Sequence, residues 1–363
     1  MRKRLYDNEA KHLNIEIKRH DKGRKQARYI ITKEQWSEIE KLRSINNLSI
    51  IGKSTLSDAN GNLVMEWVKT AKTKEDELKS LKTIIATLKE DITPENPVNV
   101  TTEITNDKLC NQYTLTDAHL GLMAWGEESG SDWDMKIAEE ILVNFFKKSI
   151  EISPNADSAI FAQIGDFIHW DGLDAVTPAN KHVLDADTRF TKVVRVAIRV
   201  IRRIIKMLLE KYKKVTVIMA EGNHDPASSV WLREMLSSFY EEEPRLIIDT
   251  NPDPYYCITF GYSCLFYHHG HKRNLNTVDS VFVSKFKKEF GNAKFVYGHI
   301  GHLHNQQVKE TNLMIIEQHR TLAAKDAYAS RGGWSSGRDS KVITYHKEFG
   351  EVGRLTINID MLK

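Results

Sequence analysis

The sequence predicts an α/β protein: a main domain of two β-sheets packed face to face with helices outside, preceded by a small basic α+β module. Three observations carry this. After about residue 108, short β-branched runs alternate with helical stretches, the pattern of a layered α/β domain. From Tyr255 onward such runs follow one another with few helices between them, which asks for a second sheet. Ahead of both, Pro94 and Pro97 in the polar stretch from Thr93 to Thr105 mark a linker. The expected organisation is a basic module at 1–92, a linker at 93–107 and the main domain at 108–363.

Composition narrows the class. Of 363 residues, 41% are hydrophobic and 28% charged, which excludes wholesale disorder. Cys110, Cys257 and Cys264 form no Cys-x-x-Cys pair, arguing against a disulfide framework and against a thiolate zinc site. No apolar run approaches the roughly 18 residues that span a bilayer, and Met1 to Asn14 lacks the apolar stretch of a signal peptide. A cytoplasmic protein without membrane contact is expected. Net charge is only +3, but residues 1–30 hold ten basic side chains against Asp7, Glu9, Glu16 and Asp21. That segment could hold a polyanion or serve as a solvated tail.

The elements follow in order. Thr32 and Gln35 make a capping box, and Trp36, Ile39, Leu42 and Ile45 recur at helical spacing. Strands around Thr55-Leu56 and Leu63 to Val68 flank a turn containing Asn60-Gly61, a hairpin signal. Helix plus hairpin in a basic context is what a winged-helix-like module would look like. From Lys74 to Ile92 the residues Leu78, Leu81, Ile84, Ile85 and Leu88 form an apolar stripe that wants a partner, in its own domain or in a second subunit of a homo-oligomer. In the main domain, strands are expected at Tyr113 to Thr116, Ser158 to Ile164 and Val215 to Ala220, with helices at Asp132 to Ile150, Thr188 to Lys211 and Ser228 to Tyr240. The second sheet is expected from Tyr255 to Phe260, Ser263 to Tyr267, Lys294 to Tyr297, Met314 to Glu317, Val342 to Tyr345 and Leu355 to Ile359.

What sits at the strand ends carries the chemistry. They run into Thr116-Asp117-Ala118-His119, Gly165-Asp166, Gly222-Asn223-His224-Asp225, His268-His269-Gly270-His271 and Gly298-His299-Ile300-Gly301-His302-Leu303-His304. Ligand sites in layered α/β folds form at the carboxyl ends of strands, where loops converge. Six of the 14 His fall between His268 and His304, where an even spread would put about 1.4. Any one of them alone would be read as a surface or core residue; together they read as metal ligands. Asp, Asn and His without Cys suit Mn²⁺, Fe or Zn²⁺ with open coordination positions. The donors outnumber the needs of one ion. Two ions about 3.5 to 4 Å apart that share a carboxylate are a recurrent device for hydrolysing phosphate esters.

In this order, Asp-x-His, Gly-Asp, Gly-Asn-His-Asp, His-Gly-His and Gly-His-x-His resemble the motifs of the calcineurin-like metallophosphoesterase superfamily, over about Thr114 to Asn305. His169 and Asp171 after Gly-Asp, Asp326-Ala327-Tyr328-Ala329 and Thr344-Tyr345-His346 are similar to phosphoesterases of bacteriophages and prophages. The motif order is also similar to that of double-strand-break repair nucleases. The resemblance implies a four-layered α/β/β/α sandwich and a dinuclear, metal-dependent phosphoesterase, with Mn²⁺ as the expected metal and Fe, Zn²⁺ or Ni²⁺ as alternatives. It implies that Asp117, His119 and His304 hold one ion, that Asn223, His269 and His302 hold the other, and that Asp166 bridges them. His224 becomes the general acid or charge stabiliser, oriented by Asp225. His268 and His271 compete with His269, and His299 competes with the last motif. If the chain is phage-encoded, the compartment implied is the bacterial host cytoplasm.

The expected reaction is phosphodiester hydrolysis, with nucleic acid or a smaller phosphodiester as substrate. A phosphomonoesterase or a cyclic nucleotide phosphodiesterase would use the same ligands, and a nucleic-acid-binding protein with a remnant metal domain is the rival of another class. Arg320, Arg331 and Arg338 are candidates to clamp a phosphate or are ordinary loop residues; Trp125, Trp133 and Trp170 are candidates to stack on a base or are packing residues.

Overall fold

A computed structural model describes residues 98–100 and 105–362, and the backbone of strands β1 (Ser49–Ser57) and β2 (Leu63–Ala71). The capping-box helix after Thr32, the basic residues 1–30, the Asn60-Gly61 turn and the stripe from Lys74 to Ile92 lie outside the described residues. The chain divides into two compact units, Met1–Asp91 and Ile92–Lys363. In the first, β1 and β2 pair antiparallel with Ser57 opposite Leu63.

The second unit is the four-layered α/β/β/α sandwich. One sheet has six strands in the order β13-β12-β3-β4-β5-β6: β3 (Leu109–Leu115), β4 (Ser158–Gln163), β5 (Lys214–Met219), β6 (Leu246–Ile248), β12 (Asp339–His346) and β13 (Gly350–Asn358). β3 to β6 are parallel neighbours. The other has five strands in the order β10-β11-β9-β8-β7: β7 (Tyr256–Phe260), β8 (Ser263–Tyr267), β9 (Phe295–Ile300), β10 (Gln307–Glu310) and β11 (Ile315–Gln318). Helices α1 (Met135–Ile152) and α2 (Phe190–Lys211) cover the first sheet, where Phe146 meets Tyr113 at a tilt and Phe161 edge-on. Helix α3 (Pro226–Phe239) follows β5, and α4 (Val278–Lys285) packs Val278 and Phe282 on Phe266 and Ile316 of the second sheet. Between the sheets, Ile160, Ile164 and Ile218 meet Tyr256, Leu265 and Tyr267.

One expectation is corrected. The runs at Val342 and Leu355, expected in the second sheet, belong to the first, where β12 pairs antiparallel with β3 and β13 with β12. The reason is an open edge. β3 begins its sheet and has β4 on one side only, so the hairpin returns to satisfy its other row of N–H and C=O groups. Short β6 and β10, and α4, escaped the sequence pattern altogether.

A buried polar network ties the layers together. Glu317 of β11 accepts from Lys341 of β12 at 2.8 Å and from Arg354 of β13 at 2.5 Å, so the contact crosses from one sheet to the other. Glu317 and Lys341 are each about 3% exposed, and a charge that deep is tolerated only because it is paired. His319 Nδ1 lies 3.7 Å from Glu317, its Nε2 is 3.0 Å from His299 Nδ1, and His299 Nε2 is 3.0 Å from the Tyr345 hydroxyl. Neutral imidazoles complete this chain, with His299 donating to His319 and Tyr345 to His299, while the Glu317 carboxylate attracts the His319 ring from beyond hydrogen-bond reach.

Burial holds the His319 pKa down to about 4 despite the Glu317 carboxylate. A histidine depressed below its ordinary 6.5 contributes stability above that value and loses it as pH falls from 6.5 through 4. In urea titrations His319→Gln should therefore lose about 2 kcal/mol less than the wild type between pH 7 and pH 5. Parallel stability curves for the two proteins would contradict this.

Candidate metal centre

The site is made where strands of both sheets end on one edge. β3, β4 and β5 are parallel, as are β8 and β9, and the five loops leaving them carry Asp117 and His119, Asp166, Asn223 and His224, His269, and His302 and His304. β9 runs to Ile300, so Gly298-His299-Ile300 is strand and the last motif follows it directly. Five of these residues bend sharply: Asp117, His119, Asp166, His302 and His304 have φ between 45° and 76°. Left-handed backbone costs a non-glycine residue about 1 kcal/mol or more. Among the described residues the only other non-glycine with positive φ is Lys181, so this strain is concentrated at the site.

Two glycines let the loops close. A Cβ at Gly222 would sit 1.9 Å from Asp166 Oδ1, and one at Gly301 would sit 2.0 Å from the Thr116 hydroxyl and 2.6 Å from Asp117 Oδ2. Neither position accepts a side chain.

Two donor groups contain a carboxylate, Asp117 with His119 and His304, and Asp166 with His269 and His302, and a third, all imidazole, joins His119 with His169 and His224; the ligand atoms of each lie within 4.8 Å of one another. Asp117 Oδ1 is 3.0 Å from His304 Nε2, 3.9 Å from His269 Nε2 and 4.0 Å from His119 Nε2. Asp166 Oδ2 is 3.0 Å from His269 Nε2, and Asn223 Oδ1 is 3.2 Å from the same nitrogen, which places Asn223 with the second group. Each carboxylate has one oxygen held by the protein. Asp117 Oδ2 accepts from the Thr116 hydroxyl at 2.5 Å and the His302 N–H at 3.0 Å; Asp166 Oδ1 accepts from the His224 N–H at 2.8 Å. The other oxygen faces the imidazoles. His269 Nδ1 donates to the Ile164 carbonyl at 2.7 Å, which fixes the ring with Nε2 toward the carboxylates, the usual way a ligand histidine is oriented.

These residues fit divalent cations. Asp117 and Asp166 are 0% and 1% exposed, and among the described residues no Lys or Arg pairs with either. Burial alone would raise Asp117, but His304 and His269 outweigh it and hold the carboxyl well below the usual range. Burial would likewise lower His269, yet the Asp166 and Asp117 carboxylates hold it up to about 10. The pocket thus demands positive charge and takes it from imidazoles. An oxygen and nitrogen donor set without sulfur is the chemistry of Mn²⁺, Fe or Zn²⁺ sites.

The neighbouring histidines separate. His268 is fully buried, stacks on Tyr255 at 4.3 Å and accepts the Gly270 N–H on Nδ1. His271 stands beside His269 and His302, with ring centroids 5.4 and 6.3 Å away, but belongs to none of the donor groups. His299 points into the inter-sheet network. Of the competitors, only His269 reaches both a carboxylate and Asn223.

His224 is held differently from expectation. Its Nδ1 donates to the His169 carbonyl at 2.7 Å, its ring meets His119 edge-on at 4.8 Å, and no described group pairs with its Nε2. Asp225 does not touch the ring. Its buried carboxylate accepts the backbone N–H groups of Asp166, Ile168 and Gly222 at 3.2, 3.1 and 2.9 Å, clamping the loop after β4 to the loop after β5. It is a positioning residue, and the His169 carbonyl does the orienting. His169 Nδ1 is also 3.2 Å from His119 Nδ1, leaving His119 Nε2 for the donor group. Asp171 caps α3 through the N–H groups of Ala227 and Ser228.

The remaining candidates are occupied elsewhere. Arg320 pairs with Asp339, Arg331 with Glu128, and Arg338 with the Leu322 carbonyl over the Trp133 ring. Trp133 and Trp170 are core residues; Trp125 is exposed. Two contributors escaped sequence reasoning: Thr116, and Thr321, whose hydroxyl donates to the Asp117 carbonyl at 2.6 Å. Thr321 lies 204 residues from Asp117, so no local pattern could mark it.

No protein-family model matches the chain, and no curated protein matches it. Solved structures similar to it include a conserved Streptococcus pneumoniae protein described as a predicted phosphoesterase, at 9% identity and TM-score 0.30, covering 69% of this chain and 98% of that one. Vps29 complexed with zinc from Entamoeba histolytica is similar at 10% identity and TM-score 0.28, covering 69% and 99%. An archaeal phosphodiesterase is similar at 14% identity and TM-score 0.33, covering 68% and 99%. At such scores these likenesses carry no weight for the site, which stands on its own side chains.

Metal analysis after loading with Mn²⁺ should separate the histidines. His269→Ala and His302→Ala should each lower the metal bound per chain, whereas His268→Phe and His299→Gln should leave it at the wild-type value. Loss of metal in His299→Gln with full retention in His302→Ala would reverse the assignment.

Proposed function

We propose that this chain is a dinuclear metal-dependent phosphoesterase of the calcineurin-like type that hydrolyses phosphodiester bonds, with nucleic acid as its substrate. The observation that carries the reading is the pair of buried carboxylates, Asp117 and Asp166, ringed by oxygen and nitrogen donors, with an imidazole beside them whose Nε2 no described group pairs with. Asp117, His119 and His304 would hold one cation and Asn223, His269 and His302 the other, with Asp166 within reach of both. Bound there, such cations supply Lewis acidity toward a phosphoryl oxygen and a nucleophile at neutral pH; Mn²⁺ is the first choice, with Fe, Zn²⁺ and Ni²⁺ as alternatives.

The chain's own residues supply the rest. His224, fixed through Nδ1 by the His169 carbonyl, offers Nε2 to a phosphoryl or leaving oxygen, either to hold the charge that develops there or to hand over a proton. Asp225 and Asp171 keep the loop after β4 and the start of α3 in register, so that His224 and Asp166 keep their spacing. Beside His302 a cavity of about 270 Å³, lined by His271, Lys272, Asn274 and Gln318 among others, leaves room for one side of the ester. The basic residues of 1–30 and the similarity in motif order to repair nucleases favour a nucleic acid over a small diester.

A hydrolysis panel with Mn²⁺ tests this, covering a chromogenic phosphodiester, a phosphomonoester, cyclic nucleotides, and single- and double-stranded DNA and RNA. The diester and a nucleic acid should be turned over. Hydrolysis confined to the monoester or to cyclic nucleotides would replace the substrate assignment. His224→Ala should keep its metal while kcat on the diester falls by roughly 10² to 10⁴; loss of metal in this variant would make His224 a ligand instead.

A further inference from the structure

Helix α2 carries a charge pattern that neither the fold nor the metal centre requires. Its 22 residues hold seven basic side chains and a single acid, Glu210. At 3.6 residues per turn, Lys192, Arg195, Arg199, Arg203 and Lys206 fall within an arc of about 80° along a line of about 21 Å. All five are exposed, while Val193, Ala197, Val200, Ile201, Ile204 and Leu208 on the other faces are buried. Ordinary surface helices mix signs and lace them with ion pairs. Of these five, among the described residues, Arg199 alone forms an ion pair, with Glu139 of α1 at 2.5 Å, a carboxylate whose field Arg203 shares. The other solvent-facing charges of α1 are Lys136, Glu140, Lys147, Lys148 and Glu151; with Glu139 they balance three against three, and Lys148 pairs with Glu151. The neighbouring helix therefore leaves most of the stripe uncompensated.

The stripe also has a direction. α2 links β4 to β5, which are parallel, so it runs back from the carboxyl edge of the sheet. Its first turn packs on the loops that leave β3 and β4. Phe190 packs against Trp170, the residue after His169, with ring centroids 6.3 Å apart, and Val193 borders Gly121, two residues after His119. The basic line thus starts beside the loops that carry His119 and His169 and leads away from them. A length of about 21 Å matches the axial rise of about six phosphates on one strand of a duplex.

We infer that the outer face of α2 is a docking track for the phosphate backbone of a nucleic acid, along which the part of the strand beyond the scissile phosphate lies. This rests on the phosphodiesterase reading of the metal centre and adds to it where the polymer runs. Side-chain ammonium and guanidinium groups on a rigid helix bind phosphates without reading bases, so the track confers affinity for polymers and no sequence preference.

The test compares the full-length chain with Arg195→Gln/Arg203→Gln/Lys206→Gln and with the charge-keeping Arg195→Lys/Arg203→Lys. Binding of fluorescent single- and double-stranded DNA and RNA of about 30 nucleotides is measured in EDTA across a salt series, alongside binding to phosphatidylserine vesicles. The triple variant should bind the polymers roughly 10- to 100-fold more weakly at about 0.15 M salt, with the slope of log affinity against log salt shallower by about 2 to 3. The lysine variant should bind like the wild type. Turnover of a small chromogenic phosphodiester with Mn²⁺ should be the same in all three. Unchanged polymer affinity and slope in the triple variant would overturn the track, as would a loss confined to vesicles. A wild-type protein that binds polymers with the expected slope but hydrolyses no diester would keep the track and refute the catalytic reading.

Discussion

Two buried carboxylates with no lysine or arginine paired to them among the described residues are the constraint on which the site depends. Removing an unpaired carboxylate from water costs several kcal/mol even after relaxation, and Asp117 and Asp166 lie side by side under the loops of five strands. The fold meets that cost in layers. One oxygen of each carboxylate is tied to the backbone or a hydroxyl, and the other is given to imidazoles, of which His269 is held up to about 10 against its burial by the two carboxylates. Cations are the natural occupants of such a pocket, because they supply the missing positive charge at the place where His269 now supplies it.

The surrounding structure is arranged to keep those loops from relaxing. Left-handed bends at Asp117, His119, Asp166, His302 and His304 are unfavourable alone and persist because both sheets hold their strand ends in place. Glu317, Lys341 and Arg354 join one sheet to the other, while His319, one residue beyond β11, donates its N–H to the carbonyl of Ile300, the last residue of β9 before the Gly301 loop. Asp225 performs the corresponding task between β4 and β5 with one carboxylate and three amides. Precision at the site is thus inherited from contacts that never reach the cleft.

Much of this was legible in the sequence. Strands such as Lys214–Met219 and helix Phe190–Lys211 announce themselves through β-branched runs and an amphipathic 3.6 period, and the structure brings the residues at the strand ends together. What stayed hidden depends on tertiary pairing. Nothing local in Val342 to Tyr345 says that its partner is β3, over 200 residues earlier, because an edge is satisfied by whichever strand reaches it. Asp225 sits next to His224 in sequence, but entry into α3 turns its side chain toward backbone amides and leaves the His169 carbonyl to orient the ring. His299 shares the composition of its motif and lies in the strand, where the pleat directs it into the interior. Adjacency in the chain predicts the neighbourhood of a side chain and leaves its partner open.

The most direct test of the central claim is the anomalous difference density of crystals grown with Mn²⁺ and measured at the manganese edge. Two peaks about 3.5 to 4 Å apart are expected, with the Asp166 carboxylate between them, one ringed by Asp117, His119 and His304 and the other by Asn223, His269 and His302. A single peak, or peaks away from Asp166, would contradict it.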